Sequence, residues 1–283
     1  MIRLSAFSDE AASDLQGQIA ALKRNGIPYM EIRAISGKNV KDLTLEEAKE
    51  IHEELEKNGI EVWSIGSPLG KAEVDADLDG EYGDVVRHVC QIANILKTDK
   101  IRMFSFHNSY DDRERVFENL RKMVAIAKEY NVGLYHENEK NVYGDTIARV
   151  LDIMENVDGL KYIYDPANFV QVGEKAEDSL NALHSKVDYF HIKDVIFETS
   201  ELVPAGCGDG MIEELVKRID GDKVLTLEPH LMIFDAYKSI DTEEMKTKFH
   251  FESNDEAFDA AVTALKEVLK EAGYKEINGG FTK

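Results

Sequence analysis

Cysteine is almost missing from this chain of 283 residues: Cys90 and Cys207 are too few for a disulfide scaffold and lack the paired spacing of a zinc site. Also missing is any apolar run near the roughly 20 residues that span a membrane. The start, Met1-Ile-Arg-Leu-Ser-Ala-Phe-Ser-Asp-Glu10, reaches charged residues before the apolar stretch of a signal peptide can develop. The expected setting is therefore cytoplasmic, with no membrane as partner. Basic residues are scarce, 34 Lys and Arg against 55 Asp and Glu, and the formal charge of −21 argues against a nucleic-acid partner. No Gly-rich phosphate loop is present, and Ser8-Asp-Glu-Ala-Ala after the first apolar run is not a dinucleotide-binding turn. What is present is 43% hydrophobic residues, enough for a sizeable core.

Those residues form short apolar runs that alternate with helical patterns. Strands are expected at Ile2–Phe7, Tyr29–Arg33, Glu61–Gly66, Lys100–Phe106, Val132–Glu137, Leu160–Tyr164, Val187–Lys193 and Val224–Glu228. Between them, Thr44 and Glu47 form a capping box before the stripe Ala48, Ile51 and Leu55, and Gly59 stops that helix. A last helix after Asn254 carries Phe258, Val262, Leu265 and Leu269 at helical spacing, with Gly273 as its stop. Eight strands, each followed by a helix, predict a single-domain (β/α)8 TIM barrel over residues 1–283. Two connections are long, Ser67–Gly80 and His230–Ser253. Both leave C-terminal strand ends, where barrel active sites lie. The second carries Leu231, Met232, Ile233, Phe234 and Tyr237, so it is expected to close over the mouth or to pack on another subunit of a homo-oligomer.

The last four strands end in ligand-type residues: Glu137, Asp165, His191 and Glu228, spaced 28, 26 and 37 residues apart, about one βα unit each. In a closed barrel these positions are neighbours around the mouth. Three carboxylates brought together repel strongly unless a cation sits among them. Three oxygens and one imidazole suit one divalent ion such as Mn²⁺, Mg²⁺, Co²⁺ or Zn²⁺.

Several short motifs accompany these positions: His136-Glu137-Asn138, Asp165-Pro-Ala-Asn168, His191-Ile-Lys193-Asp194, Glu228-Pro-His230 and Pro204-Ala-Gly206-Cys-Gly208. In this order and spacing the chain resembles the xylose isomerase-like barrel family of sugar and sugar-phosphate isomerases and epimerases. The resemblance implies that Glu137, Asp165, His191 and Glu228 are metal ligands, and that Glu137 and Glu228 serve as acid and base on opposite faces of the sugar. One departure is Asn168, where the family's epimerases often carry His; an amide can hydrogen-bond a hydroxyl but cannot take a proton.

Further candidates surround the mouth. His107 at the end of strand four suits a base, an acid or a hydroxyl clamp. Lys193 shares the inward parity of His191 and could polarise a carbonyl, bind an oxyanion or pair with a carboxylate. Glu31 and Arg33 end strand two and could hold hydroxyls or pair in the barrel wall. Lys71 and His230, on mouth loops, and Asn168 complete the substrate-contact set, whereas His136 is expected to point outward as a structural residue.

The function expected is a metal-dependent sugar isomerase or epimerase. A cation that binds a carbonyl and the neighbouring hydroxyl acidifies the C–H between them, and a carboxylate moves the proton. A dehydratase, a C-glycoside-cleaving lyase or a non-catalytic sugar-binding barrel are the alternatives. The small-molecule partner is a sugar or a sugar derivative.

Overall fold

The computed structural model describes residues 1–235, 237, 245–247, 249–277 and 279–283. Eight short parallel strands form one sheet: β1 (Ile2–Ala6), β2 (Tyr29–Ile32), β3 (Glu61–Ile65), β4 (Lys100–Met103), β5 (Gly133–Glu137), β6 (Lys161–Tyr164), β7 (Tyr189–Ile192) and β8 (Lys223–Leu227). Each strand pairs with the next in sequence, and β8 returns to β1 in parallel register from Ile2↔Lys223 to Ala6↔Leu227, which closes the barrel.

Helices α1 (Leu15–Arg24), α2 (Leu45–Lys57), α3 (Glu81–Ile95), α4 (Arg113–Glu129), α5 (Ile147–Asn156), α6 (Pro166–Gln171), α7 (Ala176–Leu183), α8 (Ile212–Lys217) and α9 (Asn254–Glu271) connect the strands and pack outside them. The capping box forms as the sequence predicts: Glu47 N–H donates to Thr44 Oγ1 at 3.1 Å, and Thr44 N–H donates to Glu47 Oε2 at 2.7 Å. On α9, Phe258, Val262, Leu265 and Leu269 are buried against the strands.

Two elements differ from expectation. β4 ends at Met103, three residues early, because the N–H groups of Phe104 and Phe106 turn to Leu69 and Gly70 carbonyls on the loop after β3. That loop passes so close that a Cβ on Gly70 would lie 2.0 Å from the Phe104 carbonyl oxygen, and its φ of +83° also favours glycine. A C-terminal hairpin, β9 (Lys275–Ile277) and β10 (Gly280–Thr282), was not anticipated; β10 pairs antiparallel with β1 beside its N-terminal half.

The barrel interior is layered by the two-residue period of its strands. Trp63, Tyr135, Ile163, Tyr189 and Val224 form an apolar cluster inside, separate from the main core beneath the helices. Two residues further on along each strand, toward the mouth, come Glu137, Asp165, His191 and Thr226, and another step gives Glu139, Lys193 and Glu228. The apolar cluster is the floor on which the polar layers rest.

In the connection His230–Ser253, residues 236, 238–244 and 248 lie outside the described residues. The described part packs inward over the mouth: Phe234 and Tyr237 are buried with Ala34, and the Phe234 ring lies 4.9 Å from the Arg33 guanidinium. Ile233 stays exposed.

Because α9 is anchored by its apolar stripe, Leu265→Ala should lower unfolding free energy by about 2–5 kcal/mol. Urea unfolding checks this, and a loss below about 1 kcal/mol would mean that α9 is not part of the cooperative core.

Candidate metal centre

Strand parity brings the four ligand-type residues together. Glu137 closes β5, Asp165 follows β6 as the cap of α6, His191 lies on β7 and Glu228 follows β8. One ligand atom from each lies within 4.8 Å of all the others, and all four residues are buried. His191 Nδ1 is 2.8 Å from Glu137 Oε1 and 3.2 Å from Glu228 Oε2. Asp165 Oδ2 and Glu228 Oε2 have no aligned hydrogen bond although both are out of water. Buried oxygens in that condition, beside an imidazole nitrogen, fit a divalent cation.

Fixed positive charges hold this acidic layer from the sides. Lys193 Nζ is 3.0 Å from Asp165 Oδ2. Arg33 donates to Glu228 Oε1 at 2.9 Å and grips both oxygens of Asp9 at 2.9 Å. Arg102 donates to Glu137 Oε2 at 3.3 Å and approaches Glu228 Oε1 at 3.9 Å. Both guanidiniums face the Phe7 ring, at 4.4 and 5.0 Å from its centre.

The protonation states follow from burial and these neighbours. Burial raises Asp165 to about 7, with Glu137 and Glu228 adding to the rise and Lys193 opposing it. Burial pulls the His191 imidazole down, but the charges of Glu137 and Glu31 outweigh it and place it well above its ordinary value. For Glu228, burial pushes up, and Lys193 together with the neighbouring His191 and His230 imidazoles outweighs it, leaving this carboxyl well below the usual range.

Of the residues expected around the mouth, Lys193, Asn168 and His230 line a cavity of about 200 Å³ above the four-residue cluster. The Asn168 amide donates to the Asn138 carbonyl at 2.8 Å, while Asn138 exchanges hydrogen bonds with the Asp165 backbone at 2.8 and 2.9 Å. Asn168 thus also locks the loop that presents Asp165. His230 has a strained φ of +47°, and its N–H donates to Glu10 Oε2 at 2.8 Å. Its Nε2 lies 3.3 Å from Glu10 and 3.4 Å from Glu228, a second acidic grouping in which Arg33 already contacts both carboxylates. Burial pushes Glu10 up to about 8 and His230 down to about 4. Lys71 pairs with Glu139 at 2.9 Å and stands over the Phe104 ring.

Two of the candidate positions lie away from the cavity wall. Glu31 lies beneath His191, not on the cavity wall: its carboxylate accepts from Tyr189 Oη at 3.0 Å and Thr226 Oγ1 at 2.9 Å, and it meets His191 Nε2 at 3.2 Å. Strand parity directs it into the layer below the mouth, where it fixes the imidazole with Nδ1 toward the cluster. His107 lies four residues past the shortened β4, half-buried, with its backbone bridged to Val142. Its side chain is absent from the cavity lining among the described residues.

Arg102, Asp9, Glu10 and Glu139 escaped the sequence reading. The signal for Arg102 was available, as the one charge inside the run Ile101-Arg-Met-Phe104. His136 sits outside the barrel wall, as expected, with Nε2 3.0 Å from Ser105 Oγ.

Two outcomes are expected. A carboxylate that fixes an imidazole ligand is worth roughly 10- to 100-fold in cation affinity, so Glu31→Gln should weaken Mn²⁺ or Zn²⁺ binding by that factor in a calorimetric titration. If Glu31 touched substrate instead, KM alone would change. Asp165 and His191 are both raised, so near neutrality each retains a proton that a cation must displace. Affinity should therefore strengthen as pH rises through about 7, with protons released on binding; an affinity flat across that window would contradict the assignment.

Residues 19–245 match the family model described as xylose isomerase-like TIM barrel. The chain is 25% identical over 142 residues to a probable L-ribulose-5-phosphate 3-epimerase, UlaE, of Mycoplasma pneumoniae; the match covers 48% of this chain and 47% of that relative, about half its length. The fold is similar to a D-psicose 3-epimerase crystallised in the presence of D-fructose, with a TM-score of 0.75, 15% identity and coverage of 96% of this chain and 99% of that one. It is similar also to the IolI protein with a bound zinc atom, with a TM-score of 0.71, 17% identity and coverage of 95% and 99%. With that family model matched across most of its length and a closed eight-stranded barrel to go with it, the chain belongs to the xylose isomerase-like TIM barrel family.

Proposed function

We propose that this protein is a divalent-metal-dependent sugar isomerase or epimerase in which Glu137, Asp165, His191 and Glu228 hold one cation. The observation that carries this reading is the convergence of these four buried side chains, next to a polar cavity that Lys193 and His230 line. The names of its relatives, an L-ribulose-5-phosphate 3-epimerase and a D-psicose 3-epimerase, and the zinc in IolI support it. Mn²⁺, Mg²⁺, Co²⁺ and Zn²⁺ all suit the donor set.

A bound divalent cation would supply Lewis acidity, polarising a carbonyl and a neighbouring hydroxyl so that the intervening C–H becomes acidic. The protein's own groups do the rest. Glu137 and Glu228 reach the cluster from β5 and β8, with β6 and β7 between them, so a substrate over the cluster presents a different side to each. One takes the proton and the other returns it, to the opposite face for epimerisation or to the adjacent carbon for isomerisation. Arg102 orients Glu137 and Arg33 orients Glu228. Lys193, buried and charged, is placed to stabilise negative charge on a substrate oxygen. The described part of the loop after β8 lays Phe234 and Tyr237 over the mouth and keeps water from it.

Turnover of a ketose substrate in D₂O should place solvent deuterium in the product, and Glu228→Gln should lower kcat by roughly 100- to 10,000-fold, the usual worth of a general acid or base. Turnover that leaves no label, or activity that survives exhaustive chelation, would sink the proposal.

A further inference from the structure

The motif Pro204-Ala-Gly206-Cys-Gly208 folds around a carboxylate that belongs to the chain itself. Strand alternation sends Lys193 into the mouth and its neighbour Asp194 to the other face, where Asp194 is 1% exposed. Asp194 Oδ1 accepts from the N–H groups of Val195 and Gly210, each at 2.9 Å, and Oδ2 accepts from Gly206 at 2.9 Å and Gly208 at 3.0 Å. Among the described residues no cationic side chain pairs with it, so these four N–H groups offset the burial of its charge. The approach leaves no room for a side chain: a Cβ on Gly208 would lie 2.4 Å from Asp194 Oδ1 and 2.7 Å from the Val195 carbonyl oxygen.

This cradle ties the end of β7 to two parts of the mouth. Asp194 and Val195 pair antiparallel with Val203 and Leu202, and Ser200 and Leu202 line the cavity together with Lys193. Val195 and Leu202 pack with Ala167 and Val170 of α6, the helix that Asp165 caps. Lys193 thus leaves a strand end that is fixed against α6, and its Nζ reaches Asp165 Oδ2 at 3.0 Å and Glu228 Oε2 at 3.9 Å. A lysine side chain is long and freely rotating, so its placement depends on how firmly its backbone is held.

We propose that Asp194 is a positioning residue: its carboxylate, gripped by the glycine loop, fixes the end of β7 so that Lys193 stays beside Asp165 and Glu228. The loop is an anion cradle whose ligand is built into the chain. The role of Lys193 in turnover rests on the isomerase or epimerase reading; the cradle and its hold on Lys193 do not.

Formate is the probe, because Asp194→Gly removes the carboxylate and its Cβ and opens the cradle to a free one. In Mg²⁺-loaded protein labelled with ¹⁵N-lysine, the Lys193 Nζ resonance is assigned by its loss in Lys193→Arg. Asp194→Gly should shift or broaden that resonance, and formate, but not neutral formamide, should restore it. In ketose deuterium exchange the same variant should lose roughly 10- to 100-fold in kcat, the usual worth of a group that orients an active-site residue. Formate should recover most of that loss, and adding Lys193→Gln should cost little beyond Lys193→Gln alone, because both changes remove one contribution. Asp194→Asn fills the cradle but turns an amide N–H toward two N–H donors, so it should disturb Lys193 without formate rescue. It decides the matter by its Lys193 resonance if the glycine variant does not fold. A Lys193 resonance unmoved while thermal stability falls would make Asp194 merely structural and overturn the proposal. So would losses that add in the double variant, or a disturbance in Asp194→Gly that formate leaves in place. If formate restores the resonance while no ketose exchanges deuterium in wild type, the cradle stands and the isomerase reading falls. If Asp194→Gly exchanges deuterium at the wild-type rate, the positioning role falls alone.

Discussion

Three carboxylates from the ends of β5, β6 and β8 meet one imidazole from β7 within 4.8 Å, out of water, and the design of the mouth follows from that electrostatic demand. Burying even one unpaired carboxylate is prohibitive, and each added one raises the penalty. The chain meets part of the demand with its own cations. Arg33, Arg102 and Lys193 each approach an acidic member of the cluster, yet Asp165 Oδ2 and Glu228 Oε2 are left without an aligned hydrogen bond. The protein charges surround the site without filling its centre, which is the arrangement expected where a cation completes the balance.

The same constraint organises neighbouring parts that carry no ligand. Phe7 offers its ring to both guanidiniums, so apolar surface from the turn after β1 supports the charges that hold Glu137 and Glu228. Glu31, clamped by Tyr189 and Thr226, fixes the imidazole from below, and Tyr189 belongs to the apolar floor. Floor, orienting layer and cluster are therefore coupled through hydrogen bonds along the barrel axis. Above them, Phe234 and Tyr237 pack on His230, at 5.5 and 5.7 Å between ring centres, and Phe234 also covers Arg33. A change in the loop after β8 would be felt by the side chains that hold Glu228.

The barrel was legible because its signals are local. β-branched and aromatic runs, a capping box and a helical stripe each report on a few adjacent residues, and eight repetitions leave few ways to arrange them. The four-residue cluster was legible because equivalent strand ends become neighbours once a barrel closes. The positions of Glu31 and His107, and the residues that were missed, depend on depth along the barrel axis and on contacts far apart in sequence. Glu31 is on an inward strand position, but only the layer it occupies decides whether it meets substrate or the back of His191. His107 was displaced because β4 stops early, when Phe104 and Phe106 pair with a loop whose path no local pattern encodes. Asp9 and Glu10 sit in a tight turn after β1, and their partner Arg33 lies 24 and 23 residues away. The hairpin of β9 and β10 consists of three-residue strands, too short for a periodic signal.

The central claim is that the buried Glu137, Asp165, His191 and Glu228 bind one divalent cation among them. Anomalous scattering from crystals grown or soaked with Mn²⁺ tests it directly, because the signal reports the metal's position independently of any assay. The account predicts one strong peak enclosed by Glu137, Asp165, His191 Nδ1 and Glu228, with oxygen and nitrogen distances of about 2.0–2.3 Å. A mouth without a peak at saturating Mn²⁺, or a peak held by Glu10 and His230 instead, would contradict it.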